Sequence, residues 1–599
     1  MAQTPLEFYL SRINSFSNDL KRISKVINIV SFSRLVAFLL VVFSVWAFTT
    51  SFFITACFLT AISVIGLFWL VKYHLQLEKE KLLVEKLLEI NQNELACLGF
   101  DFSCFNNGEE FVNPHHPFTS DLDIFGGNSL FQYINRTVTD FGKKALADRF
   151  VNPEYNIDTI KLYQEACKEI SAMPEWRQQF QAVGALSVES SDNLEGLYNW
   201  MNEPPKFLSG FLKRPILLML SMLTVASIVT GIITGFYVAA EILFTAQVLI
   251  IIRKQRKINL THEGLGRRNN LLKQYSLLLG LIEQKSFQSA KLINAKDILV
   301  QEKESAASQI KKLSALLNAF DRRYNFLAKI FLNILYMHDI WNVIELERWK
   351  VKNKSKAGQW FGALGKFDVY ISLGNFAFNN PDYVFPEFNS GELSCQATSI
   401  GHPLIDTKKR VCNDFVLPHL GYFVILTGAN MAGKSTFLRT IGVNMILGMA
   451  GAPVCATGFE FLPIPIMTSI SVKDSLSDNE SYFYAELKRL KMIVDELNRG
   501  TQVFIILDEI LKGTNSNDKM NGSKSLLKQF LKYQSLGIIA THDISLGDLE
   551  FQYPENIKNK SFEVAIEGDR LFYDYKLQDG ACKNLNASYL MKKMGIILD

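Results

Sequence analysis

Two long stretches of the chain carry almost no charge, and this feature constrains the fold more than any other. Residues 35–71 contain no Asp, Glu, Lys or Arg, and residues 215–252 contain only Glu241. A single helix over the first stretch would be roughly 55 Å long, nearly twice the thickness of a bilayer core. Each stretch therefore predicts a transmembrane hairpin, with two helices of about 17–19 residues joined by a short turn.

Basic residues flank both stretches, whereas the predicted turns near residues 49–51 and 231–235 carry none. By the positive-inside rule, both termini and all large polar segments then face the cytoplasm. We predict an integral protein of the inner or plasma membrane, with four transmembrane helices in the lipid bilayer. Two buried hairpins in a soluble core are the alternative. Snorkelling to the interface accounts for Glu241, near the turn end of its helix. The flanking basic residues are Lys21, Arg22, Lys25, Arg34, Lys72, Lys213, Arg214, Arg253, Lys254, Arg256 and Lys257.

Length and charge restrict the rest of the chain. A sequence of 599 residues is too long for one core and predicts two to four domains. The net charge of +4 is close to neutral, so any contact with nucleic acid requires a local basic patch. The eight cysteines are scattered without a Cys-x-x-Cys pair, which argues against a zinc site or a disulfide framework and favours a reducing compartment.

Hydrophobic periodicity divides the polar segments into helical and mixed regions. Apolar residues recur at helical spacing before residue 369, whereas β-branched runs, glycine turns and helix patterns alternate after it, which indicates an α/β domain. The predicted segments are a cytoplasmic N-terminal segment (1–34), hairpin 1 (35–71), an amphipathic linker (72–118), an all-α core in two parts (119–212 and 253–368) around hairpin 2 (215–252), and the α/β domain with a C-terminal helical tail (369–599).

A phosphate-binding loop lies in the C-terminal third. The strand pattern 421–427 is followed by a Gly-x4-Gly-Lys-Ser run and then by a helix pattern. In this context, the glycines allow backbone N–H groups to surround phosphates, Lys434 places a charge on them, and Ser435 is a ligand for Mg²⁺. We therefore predict ATP binding. The predicted contacts are Gly428, Ala429, Asn430, Met431, Ala432, Gly433, Lys434, Ser435 and Thr436.

Charged side chains follow two further predicted strands. The strand 503–507 ends in Asp508 and Glu509, and the strand 537–541 ends in His542. An acidic residue after an apolar strand is the usual partner of a phosphate loop. Asp508 is predicted to hold the magnesium ion and Glu509 to polarise the attacking water. His542, at the edge of the same sheet, is predicted to reach the γ-phosphate.

The order of these motifs resembles the ATPase domain of the MutS family, which belongs to the ABC class. The matching runs are TGANMAGKST, ESYFYAEL, LDEILKGTNSND and ATHD. The resemblance implies an α/β ABC-type P-loop ATPase domain that forms a homodimer, in which each chain supplies a serine to its partner's site. Ser481 matches that serine, and residues 513–518 match a loop that crosses the dimer interface.

Weaker similarities extend the resemblance. The segment His402, Pro403 and Leu404 is similar to the family's segment beside the adenine, and Phe415 loosely matches an aromatic residue at the base. Further matches are Ala587–Leu590 with the small helical tail, and Asp121–Leu130 and Asn135–Lys143 with the start of the MutS helical core.

The chain also departs from the family pattern. The Phe-x-Glu signature of the mismatch-reading domain has no counterpart near Phe8, the helical arm at 262–345 is short, and hairpin 2 interrupts the core. We therefore expect a membrane-anchored, MutS-like ATPase without an evident mismatch reader, related to mismatch repair and with DNA as an open partner. Basic clusters near 253–268 and 349–356 suit DNA, and they suit anionic lipid headgroups equally well.

Two other functions are compatible with the sequence. One is an ABC-like ATPase coupled to a membrane or protein partner, in transport or scaffolding. The other is a nucleotide-gated scaffold without catalysis. The only polar residues in the predicted spans are Ser, Thr, Gln247 and Glu241, which favours anchoring over transport. Intact Lys434, Ser435, Asp508 and Glu509 favour an ATP hydrolase.

Overall fold

A computed structural model provides the coordinates of the chain. The residues that it describes are 4–46, 53–186, 197, 199–205, 207, 214–265, 268–300, 304–325, 332–333, 337–388, 395–470, 482–512, 515–567 and 570–582.

The described part of the chain is mainly helical before residue 380 and mixed α/β after it. The helices are α1 Pro5–Trp46, α2 Phe53–Leu98, α3 Leu130–Ile134, α4 Asp140–Val151, α5 Ile157–Ser171, α6 Pro174–Gly184, α7 Arg214–Thr234, α8 Val238–Leu265, α9 Asn269–Gln284, α10 Ala290–Val300, α11 Ala306–Asp321, α12 His338–Asn379, α13 Lys434–Met449, α14 Tyr482–Asn498, α15 Ser516–Lys532 and the short α16 Leu549–Gln552. Short 3₁₀ helices occupy Glu109–Phe111, Arg322–Tyr324 and Ile544–Asp548.

The strands form two sheets. Their bounds are β1 Glu387–Phe388, β2 Cys395–Ile400, β3 Asn413–Leu417, β4 Phe423–Gly428, β5 Gly458–Phe461, β6 Ile466–Ser469, β7 Phe504–Asp508, β8 Leu536–Ala540, β9 Ile557–Glu567 and β10 Arg570–Asp579. The smaller sheet has the order β1-β5-β2-β3, and the larger has the order β10-β9-β4-β8-β7-β6. All neighbours in the larger sheet are parallel except β9 and β10.

Helices α1 and α2 form a long hairpin. They contain 42 and 46 residues, or roughly 63 and 69 Å, so each is about twice as long as a bilayer core is thick. Their apolar parts are exposed, whereas residues 5–34 and 72–98, here called the stalk, pack on each other through a small apolar cluster that includes Ile27 and Leu77. The predicted boundaries at 34/35 and 71/72 therefore lie inside continuous helices.

Three of the described helices are long and apolar enough to cross a membrane: α1, α2 from Cys57 onward, and α7 from Pro215 onward. The fourth predicted span lies in α8, which is not among them. Its uncharged run ends at Ile252 and is interrupted by Glu241, so it is shorter than the roughly 20 residues that a span requires.

The helical core is built around α12. This helix packs on α4, α5 and α11, and most of its side chains between Asp339 and Phe376 are buried. Asp368 of α12 accepts hydrogen bonds from Thr139 N (2.9 Å) and Thr139 Oγ1 (2.8 Å) at the start of α4. Gly142 is required there, since a Cβ atom would lie 2.2 Å from Asp368 Oδ2. Because α12 runs to Asn379, the predicted boundary at 368/369 falls inside it.

The larger sheet is buried on both faces. Strands β4 and β8 consist entirely of buried residues, a pattern that is expected when helices cover both faces of a parallel sheet. One face packs on α13 and the helical core, and the other packs on α14 and α15. This arrangement places the ends of β4, β7 and β8 side by side.

Candidate functional site

The phosphate loop connects β4 to α13. Two of its glycines have backbone angles that other residues rarely adopt: Gly428 has φ 153°, and Gly433, which precedes α13, has φ 102°. A Cβ atom on Gly428 would lie 2.7 Å from the carbonyl oxygen of Phe562 on β9. The two glycines thus allow the chain to turn sharply from the sheet into the helix, and they leave the helix N-terminus open to an anion.

Lys434 lies at the centre of this loop. Its Nζ donates to Gly428 O (2.8 Å) and Ala429 O (2.9 Å) and lies 3.1 Å from His542 Nε2. Burial lowers the pKa of the Lys434 ammonium, and nearby Asp508 and Glu509 act in the opposite direction. The loop therefore folds around its own lysine, next to the acidic pair.

Ser435 and Asp508 form the second element of the site. Ser435 Oγ donates a hydrogen bond to Asp508 Oδ2, and Asp508 Oδ1 is buried with no hydrogen-bond partner among the described residues. Burial raises the pKa of Asp508. A hydroxyl and an unsatisfied carboxylate oxygen are the hard oxygen ligands that Mg²⁺ prefers, so the residues fit this ion.

Glu509 forms the third element. Its Oε1 lies 2.8 Å from His542 Nε2, and its Oε2 lies 3.2 Å from Lys512 Nζ. These contacts lower the pKa of Glu509 to about 2. The hydrogen bond from His542 has the larger effect, and the charge of Lys512 adds to it. Glu509 is therefore an ionised carboxylate at neutral pH. It stands at the end of β7, beside the loop and Asp508.

A cavity of about 410 Å³ extends from Lys434, Ser435 and Glu509 to the smaller sheet. His402 lines it, and burial lowers the pKa of His402 to about 4, so that the imidazole is neutral. The remaining lining residues are Ile400, Ile405, Lys409, Val411, Asn413, Ala429, Asn430, Met431, Gly433, Lys434, Ser435, Thr436, Phe437, Thr440, Glu509, Phe562 and Tyr575. The phosphate loop and several aromatic side chains thus line one cavity.

Three residues predicted near the adenine lie elsewhere. Pro403 is buried and Leu404 packs against the hydrophobic core, and neither lines the cavity. Phe415 is fully buried and makes an edge-on contact with Phe437 at 5.5 Å between centroids. Phe415 lies between the exposed residues Asp414 and Val416 on β3, so its side chain points to the opposite, buried face.

Tyr575 was not predicted, although it lies beside the phosphate loop. It stands on β10 with φ 53°, and a Cβ atom added to Gly433 would lie 3.0 Å from its ring. Asn413 on β3 holds it there, because Asn413 Nδ2 donates to Tyr575 O (3.0 Å) and Asn413 Oδ1 accepts from Leu577 N (2.8 Å). No local motif marks these residues; only the pairing of distant strands brings them to the site.

Some predicted positions lie outside the described residues. These are Ser481, residues 513–514 of the interface loop, and Ala587–Leu590 of the tail. The rest of the interface loop leads into α15, where the side chain of Asn515 accepts a hydrogen bond from Asp518 N (2.9 Å) and caps the helix.

Comparison with known proteins agrees with the motif order. Residues 424–595 match the family MutS domain V. The DNA mismatch repair protein MutS of Thermotoga petrophila is 29% identical over 237 residues, which cover 39% of this chain and 29% of that protein. Human MutS protein homolog 4 is 30% identical over 229 residues, covering 37% of this chain and 24% of the human protein.

A longer match extends beyond the α/β domain. The DNA mismatch repair protein MutS of Aquifex pyrophilus is 26% identical over 497 residues, which cover 76% of this chain and 56% of that protein. The chain thus spans between about a quarter and about half of the length of these relatives. The match to MutS domain V contains the phosphate loop, the acidic pair and His542, which are the groups that the structure brings together. These similarities identify residues 424–595 as a MutS domain V.

Proposed function

We propose that the chain is a membrane-anchored ATPase that binds Mg·ATP and hydrolyses it at a site shared between two copies of the chain. The observation that carries the proposal is the convergence of Lys434, the Ser435–Asp508 pair and the Glu509–His542 pair around one cavity. These are the parts that phosphoryl transfer requires: a phosphate cradle, metal ligands and a carboxylate for the attacking water.

Each group has a separate role in the proposed reaction. Backbone N–H groups at the start of α13 and the Lys434 ammonium bind the phosphates, and Ser435 and Asp508 hold the metal. When bound, Mg²⁺ neutralises charge on the phosphate oxygens. Glu509, ionised at neutral pH, accepts a hydrogen bond from the attacking water and aims it at the γ-phosphate. His542 fixes the Glu509 carboxylate through the 2.8 Å contact.

Two side chains that line the cavity suit a base. Tyr575 has a half-exposed ring beside Gly433, and neutral His402 lines the same cavity. An aromatic ring and an uncharged imidazole offer flat surfaces on which adenine stacks. We assign the adenine to Tyr575 and His402, in preference to Pro403 and Leu404, which do not line the cavity.

We propose that the functional unit is a homodimer. The family resemblance assigns Ser481, which precedes α14, to the nucleotide site of the partner. The start of α14 also presents exposed apolar side chains, among them Tyr484 and Leu487, and Met431 in the phosphate loop is 84% exposed. An exposed apolar residue at the mouth of a nucleotide site is consistent with a surface that a second copy covers.

Membrane attachment is supported by exposed apolar surface. In the apolar part of α1, Phe38 and Leu39 are more than half exposed, and in that of α2 Phe58 and Ile65 are about 70% exposed. Exposed apolar side chains along a whole helix are unfavourable in water and expected in lipid. Trp69 stacks on Tyr73 at 5.5 Å, where the apolar part meets the stalk, and such aromatic pairs mark the membrane interface. We propose a cytoplasmic ATPase domain because the residues that flank both hairpins are basic and the turns are not.

Four polar side chains of the apolar hairpins pair within their own hairpin, which favours anchoring over a transport pathway. Gln247 of α8 donates to Thr224 Oγ1 of α7 (2.7 Å), and Thr60 of α2 donates to Ser44 of α1 (2.8 Å). A transport pathway needs polar groups that face a shared cavity, whereas these pairs hold each hairpin together.

ATP turnover by the full chain in detergent, with and without duplex DNA, tests the proposal. Glu509→Gln should keep nucleotide binding and reduce hydrolysis by about 10²-fold or more, because it removes the carboxylate that orients the water. Wild-type turnover in this variant would remove Glu509 from the mechanism. Stimulation by DNA would support a repair-related role, and indifference to DNA would favour a protein or lipid partner.

The shared site has its own test. A mixture of Ser481→Ala and Lys434→Ala chains contains dimers in which one site keeps both Lys434 and the partner's Ser481. The mixture should therefore be more active than either variant alone. Activity equal to the sum of the separate variants would contradict a composite site.

A further inference from the structure

Helix α14 makes a buried contact with the loop that carries the proposed catalytic carboxylate. Glu486, in the second turn of α14, is 2% exposed. Its Oε1 accepts a hydrogen bond from Leu511 N at 2.5 Å. Burial raises the pKa of Glu486, and the backbone N–H groups of Leu511 and Lys512 act against this shift. Glu486 lies in the run ESYFYAEL, and the proposed mechanism gives it no role.

The turn that receives this contact has an unfavourable backbone. Glu509 has φ 51° and Leu511 has φ 60°, a region that residues other than glycine seldom adopt. Such a backbone persists only where surrounding contacts hold it. One contact is the hydrogen bond from Glu509 N to Ala540 O (2.9 Å), and another is the packing of Leu511 on Gly522 of α15. Glu486 supplies a third, from a different helix.

Helix α14 is itself anchored one turn further along. Arg489 donates to Thr468 O (3.1 Å) and His116 O (2.8 Å) and lies 3.2 Å from Asp121 Oδ2. Asp121 belongs to the segment that leads into the helical core, and it is 2% exposed. The carboxylate of Glu486 therefore extends from a helix whose position the helical core determines.

We propose that Glu486 is a positioning residue for ATP hydrolysis, which holds the turn after β7 so that Glu509 faces the γ-phosphate. The inference rests on the proposed ATPase function. Glu486 and Arg489 are three residues apart on α14. Arg489 contacts the segment that leads into the helical core, and Glu486 contacts the turn that carries Glu509. The orientation of Glu509 therefore depends on the position of α14 relative to the helical core. Glu486 touches neither nucleotide nor metal, so its effect is on turnover and not on affinity.

Three variants of the full chain in detergent test the assignment. Glu486→Ala removes the acceptor, Glu486→Gln keeps an amide oxygen that accepts from Leu511 N, and Asp495→Ala removes an exposed carboxylate from the same helix. We expect kcat to fall about tenfold in Glu486→Ala with KM for ATP unchanged. Glu486→Gln should restore most of kcat, and Asp495→Ala should match the wild type.

Amide hydrogen exchange in the absence of nucleotide gives a readout that does not need activity. Peptides that cover residues 504–512 should exchange faster in Glu486→Ala than in the wild type or in Glu486→Gln, while peptides from α13 stay unchanged. An unchanged kcat in Glu486→Ala, or a loss of kcat without faster exchange, would overturn the proposal. A wild-type chain that binds ATP without hydrolysing it would refute the proposed function instead, and the exchange data would still report on the turn.

Discussion

Glu94 in the stalk and Arg136 in the helical core form a buried ion pair. Arg136 Nε lies 2.5 Å and its NH2 nitrogen 3.3 Å from the two Glu94 oxygens, and the residues are 7% and 1% exposed. Asn379, the last residue of α12, donates to Glu94 Oε2 (2.7 Å) and accepts from Tyr9 OH (2.6 Å). Both helices of the stalk therefore meet the end of α12 at one polar cluster, close to the start of the α/β domain.

Removal of Glu94 should destabilise the chain strongly. Glu94→Ala leaves the Arg136 guanidinium buried without its partner, and breaking a buried pair in this way costs about 3–5 kcal/mol. Glu94→Gln should cost less, because the amide still accepts a hydrogen bond. The control is Glu89→Ala on the same helix, where the exposed contact with Lys86 is worth at most about 1 kcal/mol. Thermal unfolding in detergent measures the differences. Equal losses of stability in Glu94→Ala and Glu89→Ala would contradict a buried ion pair between Glu94 and Arg136.

Asp508→Asn should raise the stability of the nucleotide-free protein while abolishing magnesium-dependent turnover. Because burial raises the folded-state pKa of Asp508, the ionised carboxylate is less favourable in the folded protein than in the unfolded chain. This cost is present at pH 7 and disappears as pH falls through the folded-state pKa. The melting temperature of the variant should thus exceed that of the wild type at pH 7, and the gap should narrow at acidic pH. A lower melting temperature at pH 7 would refute the argument.

Tyr575→Ala should weaken ATP binding without a loss of kcat. Loss of an aromatic surface against a base costs about 0.5–1.5 kcal/mol, or roughly a 2- to 12-fold rise in Kd. Phe572→Ala is the matched control, since Phe572 is a half-exposed aromatic on the same strand that does not line the cavity. Titration with a fluorescent ATP analogue distinguishes the two. The same affinity in both variants would place the adenine elsewhere.

Charges placed in the apolar hairpins should impair membrane insertion. Phe43→Arg combined with Met222→Arg puts one arginine in each hairpin, and each costs about 2.5–3.5 kcal/mol near the centre of a span. The control is Leu82→Arg with Val351→Arg, at exposed apolar positions of the stalk and of α12. The fraction of chain that resists alkaline carbonate extraction from membranes should fall only in the first pair. Complete extraction of the wild type would disprove anchoring by these helices.

Local sequence was sufficient to predict the strands that precede the phosphate loop and its acidic partners. The strands predicted over 421–427, 503–507 and 537–541 are observed at Phe423–Gly428, Phe504–Asp508 and Leu536–Ala540. Such strands are short apolar runs in a parallel sheet that is buried on both faces, so their position follows from composition alone. Once the strands are located, the residues that come directly after each of them in the sequence lie at its end.

Contacts between distant segments were not predictable in this way. Tyr575 reaches the cavity through the β9–β10 hairpin, and Glu486 reaches the turn after β7 from a separate helix. Phe415 resembled an adenine contact, but the register of β3 directs it into the core. A one-residue change of register moves a side chain to the other face of a sheet, so a resemblance in sequence does not by itself assign a strand residue to a ligand site.

For the apolar stretches 35–71 and 215–252, sequence determined some properties and tertiary structure decided others. Sequence alone determined that these parts of the chain are apolar and carry almost no charge, and it predicted that they are helical, because each property is a sum over neighbouring residues. Only the tertiary structure decided that α1 and α2 continue from the apolar hairpin into a stalk, and that the stalk joins the end of α12 through Tyr9, Glu94 and Asn379. The physical reason is that burial of a charge depends on groups hundreds of residues away, whereas hydropathy does not.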